Sequence, residues 1–353
     1  MVSASSNIFA YLQGFCTIMS LILNNILIYI VKNYTKSSIG YYKWLIIVFA
    51  TFEMFYAVIV LVGMPISFIA ENSWVVFNHD GLFGRTSINW FVAGLYCVFY
   101  ELWMGLVVVH FMYRFIVVCR PEIAINISNG WKWRLILGIP YSIHFILCFV
   151  CGLYFCTRNV ISPSLTTKIG EVFQIEEPDK IGYILLRAYD LEGKLSPGGM
   201  GVIINHYVIV LTSLILISFS GTNLFLAISR MRKSTSLAKE ANLQTQMFVT
   251  LIIQTTIPIF LVHLPTLIYL CVPFFSKDFT FGEMSSIFSF LTSIPKVLDP
   301  IVVICCIREY RRAALKVLFG NRLTDSSVAS ITLSKGEVRI SRQNEEPDTL
   351  RKR

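Results

Sequence analysis

Seven stretches of the chain, at about 8–31, 44–70, 88–112, 135–156, 201–229, 245–273 and 284–306, are almost unbrokenly apolar, and shorter polar segments separate them. Each reaches the roughly 20 residues a helix needs to cross a hydrocarbon core of about 30 Å. They are too long and uniform for half-buried strands, and a membrane barrel would show short alternating segments. The pattern therefore predicts an all-α membrane protein, a seven-transmembrane helix bundle over 1–306. Beyond it the period changes. Ile307, Tyr310, Ala314, Val317 and Leu318 recur at helical spacing and leave Arg308, Arg311, Arg312 and Lys316 for the other face. That predicts a short amphipathic helix over 307–320, lying along the membrane lipid. Residues 321–353 are polar and rich in Ser and Thr, and read as a disordered tail open to phosphorylation.

Composition agrees with a lipid-dissolved chain. Of 353 residues 55% are hydrophobic and 14% charged, against roughly a quarter charged in soluble domains. The net charge of +9 would suggest nucleic acid as a partner for a soluble protein. In a membrane chain the distribution of charge over the loops matters instead, so no nucleic-acid partner is expected. The loop after span one carries Lys32, Lys36 and Lys43. The loop after span three carries Arg114, Arg120, Lys132 and Arg134 against Glu122, and the loop after span five carries Arg230, Arg232, Lys233 and Lys239 against Glu240. The loops on the opposite side each carry a slight acidic excess, and the tail from 307 is basic. The positive-inside rule then places the N-terminus outside and the tail in the cytosol, in a multi-pass membrane protein. Residues 1–7 hold no Lys or Arg, so the first span is expected to stay as a signal anchor. The sequons at Asn33 and Asn126 fall on the cytosolic side and are expected to be unglycosylated.

Ionisable residues at membrane depth are costly unless paired or hydrated, which makes each a functional candidate. Glu53, Glu101, Lys296 and Asp299 occupy such positions. Glu101 and Lys296 lie at similar depth in spans three and seven, so an ion pair between them is geometrically possible. Lys296 pairing with Asp299 on its own helix, or a charge facing a hydrated cavity, is the alternative. His206 and Tyr207 in span five, with His263 and Tyr269 in span six, would give an outer cavity a few polar handles among aromatic walls. Each is also an ordinary packing residue. Pro258 and Pro265 in span six and Pro295 and Pro300 in span seven remove helical hydrogen bonds, and so mark kinks that are either static or hinges. At the inner end of span three, Tyr113 and Arg114 are followed by Arg120 and Pro121, where the helix is expected to end.

The nine cysteines include none in the outer segment 157–200, so no disulfide framework is read from them. Cys305 and Cys306 sit where palmitoylation would add a second anchor, though buried thiols are the commoner case. No phosphate loop, nucleophile elbow, metal-ligand spacing or internal repeat occurs, so no catalytic residue, metal site, cofactor or enzymatic activity is expected.

Several motifs together are similar to the nematode Str-type serpentine chemoreceptors, a family of seven-transmembrane G-protein-coupled receptors. They are Ile39-Gly40-Tyr41-Tyr42-Lys43-Trp44 leading to Phe52-Glu53 and Pro65, Tyr113-Arg114 to Arg120-Pro121, and Gln246-Met247-Phe248 to Pro258 and Pro265. Leu298-Asp299-Pro300-Ile301 to Tyr310-Arg311 closes the set, which spans residues 39–311. The chain departs from the wider receptor pattern in having Tyr113-Arg114 without a preceding Asp, Asp299-Pro300 without the later Tyr, and no Cys pair joining span three to the second outer loop. Lys296 is also unusual at its place. The resemblance implies an odorant or pheromone receptor in a sensory cilium. A small-molecule ligand would bind among Glu101, His206, Tyr207, His263, Tyr269 and Lys296. A heterotrimeric G protein would be met at an inner face controlled by Tyr113, Arg114, Arg120, Pro121, Pro258, Pro265, Asp299 and Pro300. The alternative is a ligand-gated cation channel of inverted topology, against which the loop charges argue.

Overall fold

The computed structural model describes residues 3–35, 42–78, 89–126, 142, 146, 161–175, 177–178, 181–190, 192–234, 236–275, 280, 282 and 285–319. Among them six helical stretches are long and apolar enough to cross a membrane. They are contained in α1 (Ser3–Tyr34), α2 (Tyr42–Gly63), α3 (Asn89–Cys119), α6 (Pro197–Arg232), α7 to α8 (Ala238–Pro258 and Leu264–Phe275) and α9 to α10 (Ser285–Leu291 and Ile294–Cys306). Apart from 142 and 146, the apolar segment at 135–156 lies outside the described residues, as do the tail beyond Phe319, His79 and His144. The long helices follow from the solvent: in lipid each backbone N–H and C=O must be bonded within the chain. They pack in a closed ring, α1 on α2, α2 on α3, α3 on α6, α6 on α7, α7 on α10 and α10 back on α1. At one end α4 (Pro121–Asn126) follows α3, and α11 (Arg308–Phe319) lies across α1 and α10. α11 buries Tyr310, Ala313 and Ala314 and exposes Arg311 and Arg312.

Both proline-bearing regions depart from regular α-helix. After Pro258 the chain makes a π-helical turn over Ile259–His263, in which the Leu264 N–H bonds the Ile259 carbonyl five residues back. Pro265 follows in the first turn of α8, where it has no N–H to offer the widened turn. The next helix stops at Leu291, turns through Thr292 and Ser293, and restarts at Ile294 with Pro295 in the first turn.

The apolar run 44–70, read above as one span, is in fact divided between helix and strand. α2 ends at Gly63, Met64 is left-handed (φ 43°), and Pro65, without an N–H, begins β1 (Pro65–Ala70). A two-residue turn at Glu71 and Asn72, both left-handed (φ 51° and 56°), joins it to β2 (Ser73–Asn78). β3 (Tyr183–Arg187) adds antiparallel to β2, with Ser73 opposite Arg187 and Phe77 opposite Tyr183. This sheet has two apolar faces. Phe68, Val75, Phe77 and Leu185 pack under α5 (Pro163–Phe173) through Leu165, Ile169 and Phe173. Ile69, Trp74 and Leu186 turn toward the bundle and meet Ile203 and Tyr269. The sheet is thus clamped between a surface helix and the helix ring. β3 also requires a glycine at the start of α6, because a Cβ on Gly199 would lie 2.0 Å from the Arg187 carbonyl oxygen.

Glu71 ties the hairpin to α5. It accepts from Ser162 (3.1 Å) and from Ser164, and pairs with Lys168 at 3.0 Å. Partial burial pushes its carboxyl up, but the Ser164 hydroxyl, Lys168 and Ser162 outweigh that and hold its pKa below the usual 4.5. A carboxyl depressed by folding adds stability above its unfolded pKa, and that stability is lost as pH falls through the folded value. Amide exchange across 162–173 is therefore expected to rise, after correction for intrinsic rates, once pH drops below the ordinary carboxylate range. Glu71→Gln is expected to raise exchange at neutral pH and to remove the acid step.

Candidate functional site

Beneath the sheet the helix ring encloses a cavity of about 500 Å³, inside the range of about 300–1,000 Å³ typical of small-molecule sites. Ser67, Trp74, Val76, Ile184 and Leu186 roof it from the strands; Tyr96, Tyr100, Glu101, His206, Thr266, Tyr269, Phe288 and Thr292 form much of the rest of its wall. Alternation along the strands explains the roof, since every second side chain of β2 and β3 faces the helices. Trp74 is fixed by donating its indole N–H to the Tyr269 carbonyl (3.3 Å). The floor is tied by the Tyr96 and Thr292 hydroxyls, 3.2 Å apart.

The polar feature of the wall is a hydrogen-bonded pair. His206 Nδ1 stands 2.5 Å from Glu101 Oε1. A carboxylate has no proton to give, so Nδ1 donates and the bond fixes how the imidazole is presented. His206 Nε2 is buried and has no protein partner. Tyr100 lies against the His206 ring, and the His263 ring lies 5.5 Å from Tyr100 and 6.1 Å from Trp103. Both His263 nitrogens are buried without a hydrogen-bond partner. Of the residues read from sequence as a pocket, Glu101, His206 and Tyr269 line this cavity and His263 backs it. Tyr207 points elsewhere, donating its hydroxyl to the Leu267 carbonyl at 2.9 Å.

Lys296 is not the partner of Glu101. Its ammonium donates to the Thr292 carbonyl (2.7 Å) and sits 3.8 Å from the centroid of the Tyr56 ring, an attractive cation–π arrangement. Among the described residues no carboxylate forms an ion pair with it, so the Lys296–Asp299 alternative is not formed either. Equal depth allowed the Glu101 pairing, but Tyr56 and Tyr96 stand between the cavity and Lys296, their rings 5.8 Å apart. Glu53 and Asp299, each 1% exposed, face one another below, with Glu53 within electrostatic reach of Lys296. They line a second void of about 10 Å³ with Asn24, His110 and Gln254, close to the lower limit for one water.

At the opposite end from the sheet, Arg114 is 3% exposed and lies 4.2 Å from the centre of the Tyr42 ring, which stacks on Tyr113. Its guanidinium also donates to the Met247 sulfur on α7. No carboxylate pairs with it among the described residues. Tyr310 from α11 completes this buried cluster and bonds the Thr35 hydroxyl at 3.1 Å. Arg120 is outside the cluster, exposed and 4.0 Å from Glu122, and Pro121 begins α4. Cys305 is exposed and Cys306 half-buried. Pro300 lines the small void, while Pro258 and Pro265 flank the π turn.

Sequence reasoning missed Trp74, Tyr96, Tyr100, Thr266 and Thr292 as cavity residues. Four of these, all but Trp74, lie on spans already recognised, but apolar periodicity does not separate an inward side chain facing a void from one packed in a core.

The family model described as "Serpentine type 7TM GPCR chemoreceptor Str" matches residues 9–315. The chain is 26% identical over 315 residues to "G-protein coupled receptor str-33" of Caenorhabditis elegans, covering 87% of this chain and 90% of that one. It is 25% identical over 308 residues to "Serpentine receptor class r-10" of Caenorhabditis briggsae, covering 84% and 86%. It is 26% identical over 309 residues to "G-protein coupled receptor str-217" of Caenorhabditis elegans, covering 84% and 85%.

Proposed function

We propose that this chain, which belongs to the serpentine-type seven-transmembrane GPCR chemoreceptor family Str, binds a small molecule in the 500 Å³ cavity and signals to a heterotrimeric G protein. The observation that carries the reading is that cavity, aromatic-walled and furnished with the Glu101–His206 pair. The loop charges support an orientation with the sheet end outside and the Arg114 end in the cytosol, as a ligand-to-G-protein path requires. The ligand is an odorant or pheromone-type molecule, and the receptor works at the plasma membrane of a chemosensory cilium.

Contact between the two ends supports the mechanism. Tyr96 in the cavity wall meets Tyr56, Tyr56 carries Lys296, Lys296 reaches Glu53, Glu53 faces Asp299, and His110 beside them meets Tyr42, which carries Arg114. The breaks at Ile259–His263 and Thr292–Ser293 lie along this route and give the helices places to bend. A ligand that binds a bent form better shifts the population toward it. Drawing Met247 away from Arg114 then opens the inner face. The π turn and the broken helix fall at the prolines read from sequence as kinks, either static or hinges.

The test is expression in cells carrying cAMP, cGMP and calcium reporters, challenged with volatile and soluble small molecules. Wild type is expected to respond to a narrow set. His206→Ala is expected to shift half-maximal concentrations by about tenfold or more, the size of one lost charge-assisted hydrogen bond, at equal surface display. An unchanged ligand profile would move the site away from this cavity. Ligand-evoked ion flux in cells lacking G proteins would favour a channel.

A further inference from the structure

The cavity has a sideways mouth. Two of its lining residues, Gly201 and Asn205, are exposed; the other lining residues are buried or half-buried. Both belong to α6, four and eight residues after its first residue, Pro197. Gly201, Ile204, Val208, Leu211 and Ile215 follow one another at three- and four-residue steps, and the four apolar ones are each more than half exposed, at 54%, 55%, 61% and 59%. That stripe is the lipid-facing side of α6. Gly201 therefore sits on the lipid-facing stripe while lining the cavity, and Asn205 interrupts the apolar surface beside it. A Cβ placed on Gly201 would meet nothing within 4 Å, so no packing partner explains a glycine there. The end-on route is obstructed, because hydrogen-bonded strands roof the cavity and α5 covers their outer face.

We propose that the ligand enters from the bilayer, through a portal at Gly201 and Asn205 in the sheet-side leaflet, and that the receptor is therefore tuned to small apolar molecules that partition into lipid. This rests on the cavity being the ligand site. The missing side chain at Gly201 leaves the mouth open, and the Asn205 amide offers a hydrogen bond to the polar end of a passing molecule.

Cys97, which lines the cavity, reports access without any ligand or G protein. The full chain in lipid nanodiscs is treated with a lipid-partitioning N-aryl maleimide or a sulfonated, membrane-excluded maleimide, and labelling is located by peptide mass spectrometry. The apolar reagent is expected to label Cys97 about tenfold faster than the charged one, each normalised to its own rate on exposed Cys305, because transfer into lipid concentrates apolar molecules. Gly201→Trp is expected to slow apolar labelling of Cys97 about fivefold or more by plugging the mouth, as gating of a path changes rates, with Cys305 labelling and thermal stability unchanged. Gly201→Ala is expected to label like wild type. Equal rates for the two reagents, no effect of Gly201→Trp, or no labelling of Cys97 by either would overturn the portal. Failure of the receptor reading would appear separately, as normal labelling without signalling.

Discussion

Replacing Arg114 with alanine is expected to abolish G-protein activation while leaving the ligand cavity intact. Arg114 is buried among Tyr42, Tyr113 and Tyr310 and held to α7 by the Met247 sulfur, and no carboxylate pairs with it among the described residues. A buried guanidinium with no carboxylate partner is a poor contributor to stability and a ready donor to a partner presenting carbonyl or carboxylate oxygens. Ligand-stimulated output of Arg114→Ala is expected to fall by about two orders of magnitude, near the upper range of coupling between sites. Cys97 labelling and surface display are expected to match wild type. Output within about twofold of wild type would remove Arg114 from the switch. Arg114→Lys is expected to rescue little, because an ammonium does not reproduce the planar stacking on Tyr42.

Lys296→Met is expected to be the most destabilising conservative change in the bundle. Methionine keeps most of the volume, so the change isolates the charge. It leaves Glu53, 1% exposed and within electrostatic reach of Lys296, without its neighbouring cation, and removing one member of a buried charged group costs about 3–5 kcal/mol. Thermal unfolding in detergent, followed with a thiol-reactive dye, is expected to shift down by roughly 5–15 °C. Adding Glu53→Gln should recover most of that loss, because the carboxylate left behind is then gone. Non-additivity of this kind marks an interacting pair. A single variant as stable as wild type would show that Lys296 sits on Tyr56 without balancing any charge.

What the sequence made legible follows from what membrane helices must satisfy. Long apolar runs announced α1, α3 and α6, and the period change after Cys306 announced α11. The sheet was hidden because β1 continues the same apolar run as α2: Ile66, Phe68, Ile69 and Ala70 are as hydrophobic as any helix, and a fully buried strand has no alternation to reveal it. Pro65 and the Glu71-Asn72 turn between two runs of strand formers were the available signals. Ser162-Pro163 before Leu165, Ile169 and Phe173 likewise marked a capped amphipathic helix in a segment read only for its charge and its lack of cysteine.

The site was legible by depth and illegible by direction. Counting residues placed Glu101, His206, His263 and Lys296 at membrane levels, but not around their helices. Glu101 consequently reached His206 rather than Lys296. The cavity wall depends on the strand roof, so Trp74, Ile184 and Leu186 had no place in a reading built from helices alone.

A ligand in this cavity is expected to drive nucleotide exchange on a G protein. The direct measurement is GTP-analogue binding to a purified heterotrimeric G protein mixed with the purified chain in nanodiscs, with and without an activator from the cell screen. The expected result is an activator-dependent rise of about tenfold or more, within the range of coupling between sites, abolished in Arg114→Ala and shifted in concentration by His206→Ala. An activator that demonstrably binds the cavity, yet leaves exchange by every G-protein class at its basal rate while evoking current in protein-containing liposomes, would contradict it.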